Sequence, residues 1–190
     1  TFSKNNSSQK ESLKVQITDK EHDQLVIENG VQTFYFGAGE AKKMTLRKLP
    51  ILVRKIVAAA KQNRMKKVSL SFGDFDFPHL KIKPEKLAEV IAVNLLMADY
   101  QFVKYRTAPK EGWDFLEEVV IAGPVNDSVR KGIERGEIIG KEINATRDLA
   151  NTPGGDMTPS VLANSAIAAA KNTKVKVTIL SKKEMEKIGM

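Results

Sequence analysis

Cysteine is absent from this 190-residue chain, and histidine occurs only twice. Without cysteine the protein has no disulfide framework and no thiolate metal ligand, an absence typical of a reducing compartment. No apolar run approaches the about 18 to 20 residues that cross a bilayer. The polar start, residues 1–12, lacks the apolar segment of a secretory signal. We therefore expect a cytoplasmic protein without a membrane partner.

Residues that could carry chemistry are also few. His22 and His79 lie far apart, and neither belongs to a His-Glu-x-x-His helix that would bind zinc. Asp74 and Asp76 follow a predicted strand without the glycine and glutamate of an EF-hand loop. The segment Gly37–Gly39 could offer amides to a phosphate, but the rest of a phosphate-binding motif is missing. We interpret the histidines as turn or surface residues, the segment with Asp74 and Asp76 as a solvated loop, and Gly37–Gly39 as a plain turn between a strand and a helix.

Positive charge is concentrated in one segment. The formal net charge is +8, and residues 41–73 contain ten lysines and arginines but no acidic residue. Such a surface can attract the phosphates of nucleic acid by releasing counterions. The alternatives are a solvated helix face or an interface with an acidic domain. The residues predicted for a nucleic-acid patch are Arg47, Lys48, Arg54, Lys55 and Lys61.

The first two thirds of the chain alternate between strand and helix patterns. Apolar residues with period two predict strands at residues 13–17, 24–27, 32–36, 68–72 and 118–122. Helical spacing predicts one helix from Leu49 to Ala60, with Thr45 as a candidate N-cap, and a second that starts at Pro84. Arg47, Arg54 and Lys61, seven residues apart, are expected on the face of the first helix opposite its apolar side. This order predicts parallel βαβ crossovers in a compact α/β domain at residues 13–125, after a polar tail at 1–12.

A long helix and a second group of elements follow. Asp127 is a candidate cap for a helix that runs toward Leu149, with glycines every four residues that allow close backbone approach, at Gly132, Gly136 and Gly140. We predict that residues 126–157 connect two domains. Thr158 and Pro159 match the N-cap and first position of a helix at 159–171. A strand at 174–180 and a helix at 182–188 complete the predicted start of a second domain, residues 158–190.

Residues 144–159 resemble the segment that joins the two domains of the leucyl aminopeptidases, also called M17 or cytosol aminopeptidases. The ending Glu184–Met190 is similar to the family's Glu-x-x-x-x-Gly-Met sequence before its catalytic core. The resemblance implies a macro-domain-like N-terminal sheet with flanking helices, a long connector helix, and the first helix and strand of a second α/β domain. The residues that match the family's connecting motif are Arg147, Asp148, Leu149, Asn151, Pro153, Thr158 and Pro159.

The resemblance also implies a function for the full-length enzyme. Members of the family remove N-terminal residues from peptides, use two divalent ions, zinc or manganese, and form hexamers. Their metal-binding motifs, such as Val-Gly-Lys-Gly and Asn-Thr-Asp-Ala-Glu-Gly-Arg, do not occur here. We therefore predict an N-terminal portion without catalytic or metal-binding residues, inactive alone, that serves packing and assembly. We interpret the connecting motif as structural, and a nucleic-acid-binding module is the alternative, since some relatives also bind DNA.

Overall fold

In a computed structural model of the protein, the structure describes residues 2–3 and 12–190. The chain forms two compact units, Thr1–Asn144 and Ala145–Met190. Two residues of the predicted polar tail, Phe2 and Ser3, form a short strand. Residues 1 and 4–11 of that tail lie outside the described residues. No helix in the described ranges combines the length and the hydropathy that a bilayer-spanning segment requires.

A six-stranded sheet forms the centre of the first unit. All neighbouring strands are parallel except β3 and β4, which form an antiparallel hairpin. The five strands predicted between residues 13 and 122 are confirmed, with ends that differ by one residue at most, and the short first strand was not predicted. The sheet order is β1-β6-β5-β2-β4-β3. The strands are β1 (Phe2–Ser3), β2 (Ser12–Thr18), β3 (Gln24–Glu28), β4 (Val31–Gly37), β5 (Lys67–Ser71) and β6 (Glu118–Ala122).

Two helices make the crossovers between the parallel strands, and a third follows the sheet. Helix α1 (Lys48–Gln62) joins β4 to β5, α2 (Pro84–Asp99) joins β5 to β6, and α3 (Asp127–Asn151) comes after β6. Helices α1 and α2 pack against each other. The predicted crossovers and the start of α2 at Pro84 are confirmed.

Two predicted caps need correction. The N-cap of α1 is Arg47, although the Thr45 hydroxyl still accepts a hydrogen bond from the backbone N of Lys48 at 3.2 Å. Asn126, not Asp127, caps α3, because its Oδ1 accepts from the N of Val129 at 3.0 Å. A cap must precede the helix by one residue, and Asp127 already lies inside the first turn, where its negative charge favours the helix dipole.

The core lies between the sheet and the helices. Alternation along each strand turns one set of side chains to the helices, and a fully buried aliphatic side chain contributes about 1.5 to 3 kcal/mol. On the opposite face the same strands carry polar residues, including Lys14, Gln16, Ser69 and Ser71, which are less buried. The sheet residues of the core include Leu13, Val15, Val68, Leu70, Val119 and Ile121.

Helix α3 approaches α2 along its glycines. Gly132, Gly136 and Gly140 are all buried. A Cβ at Gly132 would stand 2.1 Å from the carbonyl oxygen of Glu85, and one at Gly140 would stand 2.8 Å from a side-chain carbon of Leu96. Only glycine permits this distance, so the repeat fixes how closely the two helices pack.

The second unit contains the end of α3, then α4 (Pro159–Ala170) and α5 (Lys182–Lys187). The Thr158 side chain accepts from the N of Val161, which confirms the predicted cap. Ser181 and Glu184 form a capping box at the start of α5. The strand predicted at 174–180 is wrong, because no strand forms there in the structure. A strand needs a neighbour to pair its backbone groups, and the described residues of this unit supply none.

Candidate functional site

The basic segment was the first candidate, and two of its five predicted patch residues contact α2. Lys61 forms an ion pair with Asp99 at 3.0 Å, in which the two side chains are only 16% and 17% exposed. Its Nζ also donates to the backbone oxygen of Asp99 at 2.8 Å. Arg54 Nε donates to Asn94 Oδ1 at 2.9 Å. Arg54 and Lys61 were expected on the face of α1 opposite its apolar side, and in the structure both contact α2.

Other lysines in the segment also find partners. Lys66 pairs with Glu117 at 3.0 Å, and Lys67 lies 3.9 Å from Glu118. Lys48 Nζ donates to the backbone oxygen of Lys43. The side chain of Lys43 forms an ion pair with Glu40. Arg47 and Lys55 are exposed. Carboxylates from other parts of the chain therefore compensate much of the positive charge of this segment, which has no acidic residue of its own.

The histidines and the Asp74 loop do not form a metal centre. His79 Nε2 lies 2.8 Å from the backbone oxygen of Met44, and because a carbonyl only accepts, this nitrogen carries the proton. Asp74 Oδ2 accepts a long hydrogen bond from the N of Ile17 at 3.4 Å. Across residues 12–190 no three histidine, aspartate or glutamate side chains converge where a metal ion would fit.

The glycine turn after β4 has no free amides for a phosphate. Gly37 N donates to Asp23 Oδ1 at 2.9 Å, and the amides of the next two residues donate to the backbone oxygens of Thr18 and Lys20. A Cβ at Gly37 would stand 2.7 Å from the Lys20 oxygen. The turn therefore needs glycine for packing, which agrees with its interpretation as a plain turn.

A cleft of about 460 Å³ opens at the carboxyl ends of β2 and β5. The two strands stop pairing after Val15 and Leu70. Beyond these residues β2 still pairs with β4 and β5 still pairs with β6, so the two strands separate here. Ligands of open α/β sheets bind at such a point. The cleft offers a small polar ligand one cation, one carboxylate, one amide and two hydroxyls, with no nucleophile hydrogen-bonded to a base among these residues. Its polar lining residues are Lys14, Gln16, Ser69, Ser71 and Asp74.

A second cleft, of about 330 Å³, lies beside Trp113. The guanidinium of Arg106 lies 5.2 Å from the centre of the indole ring. A hydrogen bond from Gln101 is the main cause that lowers the pKa of Asp114. The aromatic face is thus covered by a cation, which favours packing over the stacking of a base.

The connecting motif forms a helix end, a turn and a helix start within the second unit. Thr152 Oγ1 donates to the backbone oxygen of Asp148 at 2.7 Å and closes the last turn of α3. The amides of Asp156 and Met157 both donate to the Pro153 oxygen, which reverses the chain before the Thr158 cap. Arg147, Leu149 and Asn151 lie in the last turns of α3 and Pro159 begins α4.

The sequence interpretation missed two polar residues of α2. Asp99 ends that helix and holds both Lys61 and the backbone N of Leu116. Glu89 is buried on the same helix and pairs with Lys86 and with Arg135 of α3. The signal in the sequence was that Glu89 and Asp99 are acidic residues on a mostly apolar helix.

No protein-family model matches the chain. Individual proteins do. A probable cytosol aminopeptidase of Alkaliphilus metalliredigens (strain QYMF) is 30% identical over 159 residues, which are 81% of this chain and 31% of that protein. Another from Alkaliphilus oremlandii (strain OhILAs) is 28% identical over 154 residues, 80% of this chain and 30% of its own length. The chain thus spans about a third of the curated relatives that it matches.

Solved structures share the fold at lower identity. The bottromycin maturation enzyme BotP superposes with a TM-score of 0.76 at 16% identity, covering 94% of this chain and 41% of that chain. A mutant of tomato leucine aminopeptidase gives a TM-score of 0.72 at 19% identity and covers 90% of this chain and 34% of its own. Sequence and fold agree: the chain belongs to the leucyl, or cytosol, aminopeptidase family (M17) and contains its N-terminal α/β domain.

Proposed function

We propose that this chain is the N-terminal portion of a leucyl aminopeptidase-like metallopeptidase that removes N-terminal residues from peptides. The main support is the match to proteins named cytosol aminopeptidases, which covers about four fifths of this chain but only about a third of theirs. The remaining length of such a protein has room for the catalytic machinery. The peptide substrate, the assembly into a hexamer and the cytoplasmic location belong to the same proposal.

We place the metal ions of this enzyme outside the present chain. Two divalent ions, zinc or manganese, would activate a water and polarise the scissile carbonyl when bound. One BotP structure is described as a complex with Mn, and this concerns that protein alone. Because the described residues bring no suitable ligands together, no step of peptide hydrolysis is assigned to these side chains. The chain's own contribution in this proposal is packing and assembly.

We also propose a division of the chain into an N-terminal domain at 13–125, to whose sheet β1 and Ser12 also belong, a connecting helix and turn at 126–157, and the start of the catalytic domain at 158–190. The support is that α4 and α5 have no buried residue, while Leu162, Ile167 and Val175 are exposed. Large apolar side chains at this density are typical of a surface that another part of a protein covers. Residues 174–180 would then pair as a strand with that part.

The 190-residue chain is expected to be inactive as a peptidase. We would measure hydrolysis of leucine p-nitroanilide by the purified chain with added manganese or zinc, because the chain offers no metal ligand cluster in its described part. A full-length cytosol aminopeptidase assayed in parallel shows that the substrate and the metal are adequate. Turnover by the pure chain that a chelator abolishes would contradict the proposal.

For the basic segment we infer a structural role for Arg54 and Lys61, because both contact α2. A nucleic-acid surface would then depend on Arg47, Lys48 and Lys55. We therefore expect that the chain does not shift duplex or single-stranded DNA in a gel. Binding through phosphates would instead give a shift that weakens as the salt concentration rises. If binding does occur through phosphates, the Arg47→Ala/Lys55→Ala variant should reduce the slope of log affinity against log salt by about 2 on duplex DNA.

The matched control for this titration changes two lysines outside the segment, Lys131→Ala and Lys141→Ala on α3, both exposed. It removes the same net charge. Binding that falls equally in the two double variants reflects net charge alone. Binding that falls only with Arg47 and Lys55 would establish the nucleic-acid module and overturn our inference.

A further inference from the structure

Strand β3 is an uncovered edge of the sheet. It ends the sheet order and, among residues 2–3 and 12–190, pairs only with β4, from Gln24 opposite Tyr35 to Glu28 opposite Val31. Leu25 is 36% exposed and Ile27 is 64% exposed. Edge strands commonly carry lysine, proline or a bulge that prevents pairing with another chain. The five residues of β3 include neither lysine nor proline, and their register with β4 is continuous.

The hairpin turn determines which backbone groups face outward. Asn29 and Gly30 have φ values of 51° and 79°, as a two-residue type I′ turn requires. In such a hairpin the pair that closes the turn, Glu28 with Val31, is a hydrogen-bonded pair, and pairs alternate from there. Gln24, Val26 and Glu28 therefore bond to β4. The N–H and C=O groups of Leu25 and Ile27 point away from the sheet.

We propose that β3 pairs antiparallel with β3 of a second copy of this chain, about a two-fold axis at Val26. In this register Leu25 lies opposite Ile27 of the second copy, and the reverse pair follows by symmetry. Each of the two pairs exchanges two N–H···O=C hydrogen bonds, so all four outward donors are satisfied. Val26 meets its own copy at a position without hydrogen bonds, as the alternation requires. Isologous contacts of this kind close as dimers.

The sequence of β3 is complementary to itself in this register. Gln24 lies opposite Glu28 of the second copy, so an amide can donate to a carboxylate at both ends of the contact. No two like charges face each other between residues 22 and 30. Shifting the register by two residues in either direction places Asp23 or Asn29 in the ladder. Asp23 lies outside β3, which begins at Gln24, and Asn29 has a left-handed backbone in the turn, so the shifted registers use a residue without the extended conformation of the strand.

A single contact of five residues per strand is much smaller than the about 1,600 Å² of a stable protein complex. We therefore expect a weak dimer of the chain alone, and trapping is a better test than chromatography. Because the chain has no cysteine, Val26→Cys would introduce its only thiol. Cα atoms of a pair without hydrogen bonds lie about 4.5 Å apart, a distance that a disulfide can span.

The experiment compares mild oxidation of Val26→Cys with that of Leu46→Cys, because Leu46 is 65% exposed and lies outside the sheet, just before α1. We expect Val26→Cys to form a disulfide dimer at least about tenfold faster, as a contact that raises effective concentration predicts. Equal rates, or dimers only after denaturation, would overturn the proposal. A faster reaction of Val26→Cys that an excess of unrelated protein suppresses would indicate another partner and also overturn it.

Variants without cysteine test the register by sedimentation velocity at high protein concentration. Ile27→Lys should abolish self-association, whereas Leu46→Lys should not, and both exposed sites leave the melting temperature nearly unchanged. Gln24→Glu places two glutamates opposite each other and should weaken the dimer. Gln24→Glu/Glu28→Gln exchanges the two groups and should restore it. A wild-type chain that stays monomeric at every concentration, or a double variant as weak as Gln24→Glu, would contradict this pairing.

Discussion

Replacing Gly132 with alanine is expected to lower the free energy of unfolding of the N-terminal unit by about 2 kcal/mol, the range of an overpacked core. The added Cβ would stand 2.1 Å from the Glu85 oxygen and 2.8 Å from the Ala88 Cβ. Neither atom can rotate away, because one is backbone and the other has no side-chain torsion. Helix propensity alone predicts the opposite sign, a gain of about 1 kcal/mol. The sign of the change therefore tests the close approach of α2 and α3.

Urea unfolding followed by the fluorescence of Trp113 measures this effect, since the chain has no other tryptophan and Trp113 lies in the N-terminal unit. The expected result is a lower midpoint at an unchanged slope. Lys131→Ala, at an exposed position of the same helix, is the control and should change stability little. A Gly132→Ala protein that is more stable than wild type would show that the helices are not held at this distance.

Gly136 allows a rescue of the same clash. Its Cβ would stand 2.7 Å from the Ala92 Cβ and 2.7 Å from the Glu89 oxygen. Gly136→Ala should destabilise alone, and Gly136→Ala/Ala92→Gly should recover the part due to Ala92. The interaction energy of this double-mutant cycle isolates the contact between the helices. Strict additivity would mean that the two residues do not touch.

Replacing Asp99 with alanine is expected to cost about 2 to 3 kcal/mol of unfolding free energy, somewhat below the about 3 to 5 kcal/mol of a fully buried ion pair. The carboxylate pairs with Lys61 and accepts from the backbone N of Leu116 at 3.1 Å. Its removal leaves a largely buried ammonium and an unpaired amide. The effect is reduced because Lys61 keeps its bond to the backbone oxygen of residue 99.

Asp99→Asn separates charge from hydrogen bonding in the same urea experiment. The amide oxygen can still accept from Leu116, so its smaller cost measures the lost attraction to Lys61. Glu40→Ala is the control, because it breaks a pair with Lys43 in which both side chains are about 70% exposed. Exposed pairs contribute at most about 1 kcal/mol. An Asp99→Ala protein no less stable than Glu40→Ala would refute the structural role given to Lys61.

The regular elements of the first unit could be predicted because their signals are local. The alternation of Leu13 and Val15 in β2 and the helical spacing from Leu49 to Ala60 reflect one buried face each, and the structure has both. The cap at Thr158 was equally local. The strand predicted at 174–180 failed because alternation records only a preference, whereas a strand also needs a neighbour to bond with.

The candidate site depended on contacts that no local pattern contains. The sequence showed ten basic residues with no acidic residue among them, which suggested a solvated helix face, an interface with an acidic domain or a nucleic-acid surface. In the structure two of those cations have partners far along the chain. Lys61 contacts Asp99, 38 residues later, and Arg54 contacts Asn94, 40 residues later. The exposed edge of β3 is of the same kind, since its residues form an ordinary strand and only the sheet order makes them terminal.

The sequence by itself determined the order of strands and helices from β2 to α4, the close-packing glycines of α3, and, through the match at residues 144–159, the resemblance to the aminopeptidases. Periodicity and caps involve neighbours within a few positions, so the chain contains them directly. Only the tertiary structure decided which lysines are paired, which amides of the Gly37–Gly39 turn are occupied and which strand lies at the edge. Those outcomes depend on distances between residues far apart in the chain, which become defined only when the sheet and helices pack together.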